Sequence, residues 1–360
     1  MRVVRVVAKL EPGGAQLAAL RLSRELSRRY GVRTTLLVGD ATPDGLTLAR
    51  RYKLDTHVFR VAPTLHPVRN LQWERSTRFA NWLRDKIVDA DLVHAHMVGA
   101  WWAASRVVAP HTPLVATEHN QVNWPLKRVR SLHIDARRID KFYAMGPAAF
   151  RFAIDAGVRP DVIAVARSPV AGLRASSRLS LPVPRLTFAG RLSSDKGPDL
   201  LVEALTRLDL RRLTAYLLGD GPLRDRLMDR IDSVGLSGRV LMPGWVSQPW
   251  RYVAGSNVHV VPSREEAWSQ SAVLALALGV PVIGTNVDGL AETLSQSRGI
   301  IVPPNDPDAL AAAIGDTLSG RAATDRIAAM RYARNFTAAR VAKFYHAEYQ
   351  TLRERAALAH

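Results

Sequence analysis

Pro262–Gly279 reads PSREEAWSQSAVLALALG. An apolar run, Val258-His259-Val260-Val261, precedes it, and a second, Pro281-Val282-Ile283-Gly284, follows. Strand, polar loop opened by Pro-Ser, helix and second strand make one βαβ unit. The loop falls where the carboxyl end of a strand meets a helix N-terminus. Open parallel sheets bind ligands there, and unpaired N–H groups at such a helix end favour anions. Glu266 is oddly placed in a loop that binds phosphate alone. It suits a hydroxyl-rich ligand, such as a sugar, lying beside the phosphate.

The same alternation extends in both directions. Upstream, Arg185–Ala189, Thr214–Leu218 and Val240–Met242 read as strands, with helices at Leu200–Leu208 and Leu223–Val234. Downstream come a strand at Gly299–Val302 and a helix at Asp306–Leu318, capped by Asp306 with Pro307 in its first position. The first half repeats the pattern. Val3–Ala8 is a strand, Gly13-Gly14 a turn, Ala15–Arg29 a helix and Thr34–Val38 the next strand. Further strands are Asp91–His96 and Leu114–Thr117, and Lys141–Met145 is expected to close this sheet. Residues 169–183 fall in a Ser-, Pro- and Gly-rich stretch without sustained period, the best linker. The expectation is α/β: two doubly wound, Rossmann-like parallel-sheet domains, 1–168 and 184–335, facing each other across a cleft.

Composition narrows the function. The 360 residues are 47% apolar, enough for two cores, and contain no cysteine, which excludes disulfides and thiolate metal sites. The opening MRVVRVVAKLEPGG has too short an apolar run for a signal peptide and looks like a first strand. No uninterrupted run approaches the length of a membrane span, so a cytoplasmic protein is expected. The net charge is +18, and residues 1–168 hold 27 Lys+Arg against 14 Asp+Glu. That basic half reads either as Arg-rich solvated helix faces or as a surface for an anionic partner, such as the inner face of a membrane. The basic residues are dispersed, and no nucleic-acid recognition motif accompanies them, so no nucleic-acid partner is expected.

Gly190-Arg191-Leu192-Ser193-Ser194-Asp195-Lys196-Gly197 follows the first strand of the second half. Glycines allow close backbone approach, and Arg191 and Lys196 bring two positive charges to a helix N-terminus, a combination suited to a diphosphate. No Walker loop and no G-x-G-x-x-G is present. Gly219-Asp220-Gly221-Pro222 is explained by turn chemistry alone.

Taken together, GRLSSDKGPDLLVEAL (190–205), LLGDGP (217–222), PGW (243–245), PSREEAW (262–268), ALALGVPVIGT (275–285) and GLAET (289–293) resemble glycosyltransferase family 4. EPGGAQ (11–16), DLVHAH (91–96) and TEHN (117–120) extend the resemblance through the first half. The resemblance implies a retaining enzyme of GT-B fold that moves a sugar from a nucleoside diphosphate sugar to an acceptor hydroxyl, with neither metal nor organic cofactor. It implies that Arg191 and Lys196 hold the donor diphosphate and Glu266 the sugar hydroxyls. Backbone N–H groups of Ala267, Trp268, Ser269 and Gln270 would help, with Gly190 and Gly244 giving room nearby. His119 would approach the reacting side of the sugar, and Gly13 and Gly14 would let the first-domain loop close over the phosphates. Phe344, Tyr345 and Tyr349 would pack the last helix, about 338–360, back on the first domain. The acceptor stays open: a lipid-linked or envelope glycan, or a small natural product such as an aminocyclitol.

One departure stands out. The family places a second Glu eight residues after the first, to hold the ribose hydroxyls, and here that position is Leu274. A leucine accepts no hydrogen bond. Either the donor is a thymidine diphosphate sugar without the 2′-hydroxyl, or Glu265 or another group compensates, or the donor is held differently and Leu274 simply extends an apolar helix face. Asp288-Gly289 likewise stands where the family commonly has paired glycines.

His94 and His96 flank one residue at a strand end, and Asp89-Ala90-Asp91 precedes that strand. A third metal ligand is not evident, so a structural role is expected for both histidines and a cap or turn for the aspartates. Trp101, Trp102 and Trp124 are expected in packing. The competing functions are a GT-B sugar-nucleotide epimerase or hydrolase and a non-catalytic sugar-nucleotide binding module, the latter motivated by Leu274.

Overall fold

The computed structural model describes residues 1–62, 77–119, 127, 134–173, 184–208 and 213–358. Asn120, Trp124 and linker residues 174–183 lie outside the described residues. The chain divides into two units: Met1–Pro169 with Ala338–His360, and Val170–Thr337.

The first unit is built on seven parallel strands in the order β3-β2-β1-β4-β5-β6-β7. They are β1 (Arg2–Leu10), β2 (Arg33–Ala41), β3 (Asp55–Val61), β4 (Leu92–His96), β5 (Leu114–Glu118), β6 (Lys141–Ala144) and β7 (Ile163–Val165). The inner strands β4 and β5 are buried along their whole length, as a sheet covered on both faces requires. Lys141–Met145 does not close the sheet. β7 pairs outside β6, and its three residues after a tight turn are too few to show a period. The other edge, β3, opens on three consecutive polar residues, Asp55, Thr56 and His57, which conceals it from a search for apolar runs.

Helix Ala338–Leu358 belongs to this unit. Tyr345 and Tyr349 are almost fully buried, His346 stacks on Tyr30 at 4.0 Å, and the Tyr143 hydroxyl donates to Glu348 at 2.6 Å. Trp101 and Trp102 lie in the same core.

The second unit has six parallel strands in the order β10-β9-β8-β11-β12-β13. They are β8 (Arg185–Ala189), β9 (Thr214–Leu218), β10 (Val240–Gly244), β11 (Val258–Val261), β12 (Val282–Thr285) and β13 (Ile300–Val302). Helix Pro307–Leu318 starts as its sequence dictates: Asp306 accepts from the Ala309 N–H at 2.9 Å, and Pro307 opens the first turn. In both sheets the strand order reverses beside the first strand, between β1 and β4 and between β8 and β11. Loops leaving the carboxyl ends of those strands diverge there and leave room for a ligand.

Candidate functional site

In the second unit the loops at the reversal point are Gly190–Gly197 after β8 and Pro262–Ser269 after β11. Ser194–Lys196 makes a single tight turn ended by Gly197 at φ 63°. A side chain there would put its Cβ 2.1 Å from the carbonyl oxygen of Pro262, so only glycine lets the two loops touch. The backbone N–H groups of Arg264 and Glu265 both donate to the Asp195 carbonyl, at 2.8 and 3.1 Å. The Arg264 guanidinium binds both carboxylate oxygens of Asp199 at 2.9 and 2.7 Å, the Ser194 carbonyl at 2.8 Å and Asn305 Oδ1 at 2.7 Å. Burial pushes the Asp199 carboxyl up, but the Arg264 hydrogen bonds reverse this and leave it below its ordinary range.

This stapling brings together two residues seventy positions apart. Lys196 Nζ lies 3.0 Å from Glu266 Oε2, and the Ser263 hydroxyl donates to the same oxygen at 3.3 Å. Glu266 is only 8% exposed. Among the described residues no hydrogen bond engages its Oε1. The pair presents an ammonium suited to a phosphate and a carboxylate oxygen suited to a hydroxyl.

Arg191 sits exposed on the same loop. That loop leans on Gly219-Asp220-Gly221-Pro222: the Leu192 N–H donates to the Asp220 carbonyl and the Leu223 N–H to the Leu192 carbonyl, both at 2.9 Å. A Cβ at Gly219 would lie 1.8 Å from the Gly190 oxygen. Those turn residues therefore fix the course of the basic loop. Gly244 ends β10 at φ 81°.

Ser269 caps helix Gln270–Ala277, accepting from the Ala272 N–H at 3.2 Å, and Gln270 is its first residue. Ala267 is buried, and its carbonyl oxygen would lie 1.8 Å from a Cβ at Gly289. The Gly289 N–H donates to the Glu266 carbonyl at 3.2 Å. Glycine at 289 is thus what lets the next helix press on the Glu266 loop. Trp268 packs its ring 4.8 Å from that of Phe336. Leu274 is 4% exposed and lies in the apolar cluster with Val253, Val261 and Leu290, so the structure gives it a packing role.

In the first unit the reversal point holds a buried polar network. Arg5 lies in the middle of β1, directly opposite His94 on β4, and is 0% exposed. Its guanidinium reaches Ser23 Oγ at 2.8 Å, His94 Nδ1 at 3.2 Å and His96 Nε2 at 2.7 Å. The Tyr349 hydroxyl meets His94 Nδ1 at 2.5 Å, and His94 Nε2 meets Thr117 Oγ1 at 2.7 Å. His119, just beyond β5, completes the set, its Nε2 lying 2.9 Å from His96 Nδ1. Burial first, and then the Arg5 charge, pushes the His119 imidazolium down to about 4; burial also dominates at His94 and His96, both driven well below the ordinary histidine range. All three rings are neutral at pH 7. His94 and His96 thus spend on Arg5 the lone pairs a metal would use. Among the described residues no group of three His, Asp or Glu is placed to hold a metal ion.

Gly13 and Gly14 lie at the start of helix Gly14–Tyr30, Gly13 with an extended backbone. Asp91 accepts from the Arg2 N–H at 2.6 Å, and Asp89 pairs with the Arg2 guanidinium at 3.1 Å. No helix among the described residues is long and apolar enough to cross a membrane.

Sequence reasoning missed Arg264, Arg5 and the polar role of Tyr349, and it singled out Gly289 only for its place in the family pattern, not for its contact with the Glu266 loop. A charged residue inside the apolar run Val3–Ala8 was the available signal for Arg5. Arg264 carried none, because exposed-looking arginines are common in this chain.

The family model described as Glycosyltransferase Family 4 matches residues 12–174, and the one described as Glycosyl transferases group 1 matches residues 183–320. The 2-deoxystreptamine N-acetyl-D-glucosaminyltransferase of Streptomyces fradiae is 29% identical, over 85% of this chain and 83% of its own. The 2-deoxystreptamine glucosyltransferase of Streptomyces kanamyceticus is 28% identical, over 78% of this chain and 83% of its own. Among solved structures, HepE of Anabaena in complex with UDP superposes with a TM-score of 0.80 at 20% identity, over 98% of this chain and 100% of that one.

Proposed function

Since the chain belongs to glycosyltransferase family 4, has the GT-B fold and transfers a sugar from a nucleotide sugar, we propose that Lys196 and Glu266 are the centre of its donor site. The observation that carries this reading is their 3.0 Å approach at the point where the second sheet reverses. Lys196 and Arg191 bind the diphosphate and stabilise the charge that gathers on it as the glycosidic bond breaks. Glu266 accepts hydrogen bonds from the sugar hydroxyls. Positioning of donor and acceptor provides much of the remaining acceleration.

Transfer proceeds with retention and without a metal. The support is the cationic pair at the diphosphate loop, which does the work a metal would otherwise do. Glu266 is committed to the sugar hydroxyls in this reading, so the acceptor attacks from the face that the diphosphate leaves, and a phosphate oxygen takes the acceptor proton.

The acceptor class we favour is a polyhydroxylated six-membered ring of the cyclitol type. The two Streptomyces relatives that align over most of the chain are named for 2-deoxystreptamine, and further relatives are named D-inositol 3-phosphate glycosyltransferases. The test is incubation with UDP- and dTDP-sugars and a panel of cyclitols, aminocyclitols and lipid-linked glycans, read by mass spectrometry of products and NMR of the new anomeric centre. A sugar-adduct on a cyclitol with the donor's anomeric configuration is expected. Free sugar alone would favour a hydrolase, and an inverted product would remove retention.

A further inference from the structure

The direction of every hydrogen bond along Arg5, His96 and His119 follows from one fact: a guanidinium donates and never accepts. Arg5 Nη1 lies 2.7 Å from His96 Nε2, so that nitrogen must offer its lone pair. His96 therefore carries its proton on Nδ1. That atom lies 2.9 Å from His119 Nε2, so it donates and His119 accepts. His119 in turn holds its own proton on Nδ1. The reverse order would set an N–H of His96 against an N–H of Arg5. Protonating His96 on both nitrogens would do the same.

The adjoining ring obeys the same logic. Arg5 and the Tyr349 hydroxyl both donate to His94 Nδ1, and His94 Nε2–H donates to Thr117 Oγ1. The Tyr349 oxygen meanwhile accepts from Arg5 Nη2 at 3.4 Å. The network is costly to keep. Arg5 is fully buried, and among the described residues no carboxylate pairs with it, whereas burying an unpaired charge carries a heavy desolvation penalty. Apolar residues would pack this strand without that penalty. What the arrangement does achieve is a fixed tautomer for the outermost ring.

We propose that Arg5 and His96 are positioning residues that lock His119 as a neutral hydrogen-bond donor, presenting its Nδ1–H to an oxygen of the substrate. This rests on the glycosyltransferase reading above. It excludes His119 as the general base: Nε2 accepts from His96, and Nδ1 already bears a proton. The proton of the acceptor hydroxyl must leave by another route. Second partners of this kind commonly set which histidine nitrogen is protonated.

Two measurements on the full-length protein decide it. The first is nitrogen-15 NMR of histidine-labelled protein, with His119 assigned through His119→Gln. The Nδ1–H tautomer is expected at pH 7 and unchanged at pH 5.5. An Nε2–H tautomer, or titration near pH 6.5, would overturn the inference. The second compares His96→Phe with His96→Gln. A glutamine amide can accept from Arg5 and donate to His119, so it preserves the relay, while phenylalanine cannot. His96→Phe should lower kcat about 10- to 100-fold with donor KM within about threefold, and His96→Gln should recover most of the loss. Normal turnover in His96→Phe, or equal losses in both variants, would contradict the relay. Should His96→Phe fail to fold, the NMR result on the unaltered chain still decides. The two readings fail separately: no transfer from any donor by the unaltered protein removes the enzyme reading, and robust transfer with the wrong His119 tautomer removes this inference alone.

Discussion

At its reversal point the first unit keeps one buried guanidinium among neutral rings and hydroxyls, whereas the second keeps ammonium, guanidinium and carboxylate groups in open loops. Both are seven- or six-stranded parallel sheets of the same plan. In the first unit the polar side chains leave the strands themselves: Arg5 from β1, His94 and His96 from β4, Thr117 from β5. In the second they leave the loops after β8 and β11. A strand fixes direction and excludes water, which suits one donor held in one tautomer. Loops bring several charges onto a polyanion, and here Arg264 prevents them from drifting apart. On the reading proposed above, the same fold carries one site for orientation and one for charge.

That contrast is most easily broken at the charged site. Lys196→Ala and Arg191→Ala should each lower the sugar-transfer rate about 10²- to 10³-fold, the cost of removing one group that stabilises developing charge. Melting of the Arg191 variant should change little, because that side chain is exposed. Near-normal turnover in both variants would take the basic loop out of the site.

Leu274→Glu sharpens the comparison on the side of packing. In a core position 4% exposed and set among apolar side chains, the new carboxylate should cost about 3 kcal/mol or more of stability. Chemical denaturation measures this. A variant that melts normally and gains affinity for UDP over dTDP would instead place the position at the ribose.

These two cases also show what the sequence disclosed. Glu266, Lys196 and Arg191 lie in short motifs whose residue types state their chemistry, and the alternation of apolar runs revealed most inner strands. β3 and β7 were hidden because a polar edge strand and a three-residue strand lack a usable period. Arg264 was hidden, and Gly289 showed only as part of an unusual pair, because the importance of both lies in what they touch. Arg264 reaches back to Asp199, and Gly289 lies against Ala267. His94 and His96 were visible as a pair, but only register placed Arg5 opposite His94.

Acid should distinguish the units next. A histidine whose folded pKa is depressed contributes stability fully present above pH 6.5 and lost as pH falls toward the folded value, because the unfolded chain binds the proton first. His119, held down to about 4, and His259 in the second unit, pushed down to about 3 by burial, should each cost about 2 kcal/mol by pH 5. His94 and His96 add to the loss in the first unit alone. Hydrogen exchange at pH 5 against pH 7.5 should therefore show greater loss of protection in β4 and β5 than in β11; the reverse order would contradict it. For the same reason kcat/KM should show no acid limb near 6.5 arising from His119. The smallest effect is expected from chelation. Excess EDTA should leave transfer unchanged, and loss restored by magnesium or manganese would reassign the charge neutralisation given to Lys196 and Arg191.

The division of labour itself is tested by calorimetric titration of UDP and dTDP into the unaltered protein, Lys196→Ala and His119→Ala. At least one nucleotide should bind the unaltered protein, Lys196→Ala should weaken this binding at least tenfold, and His119→Ala should leave it within about twofold. Full affinity in Lys196→Ala, or loss of affinity in His119→Ala, would contradict that division.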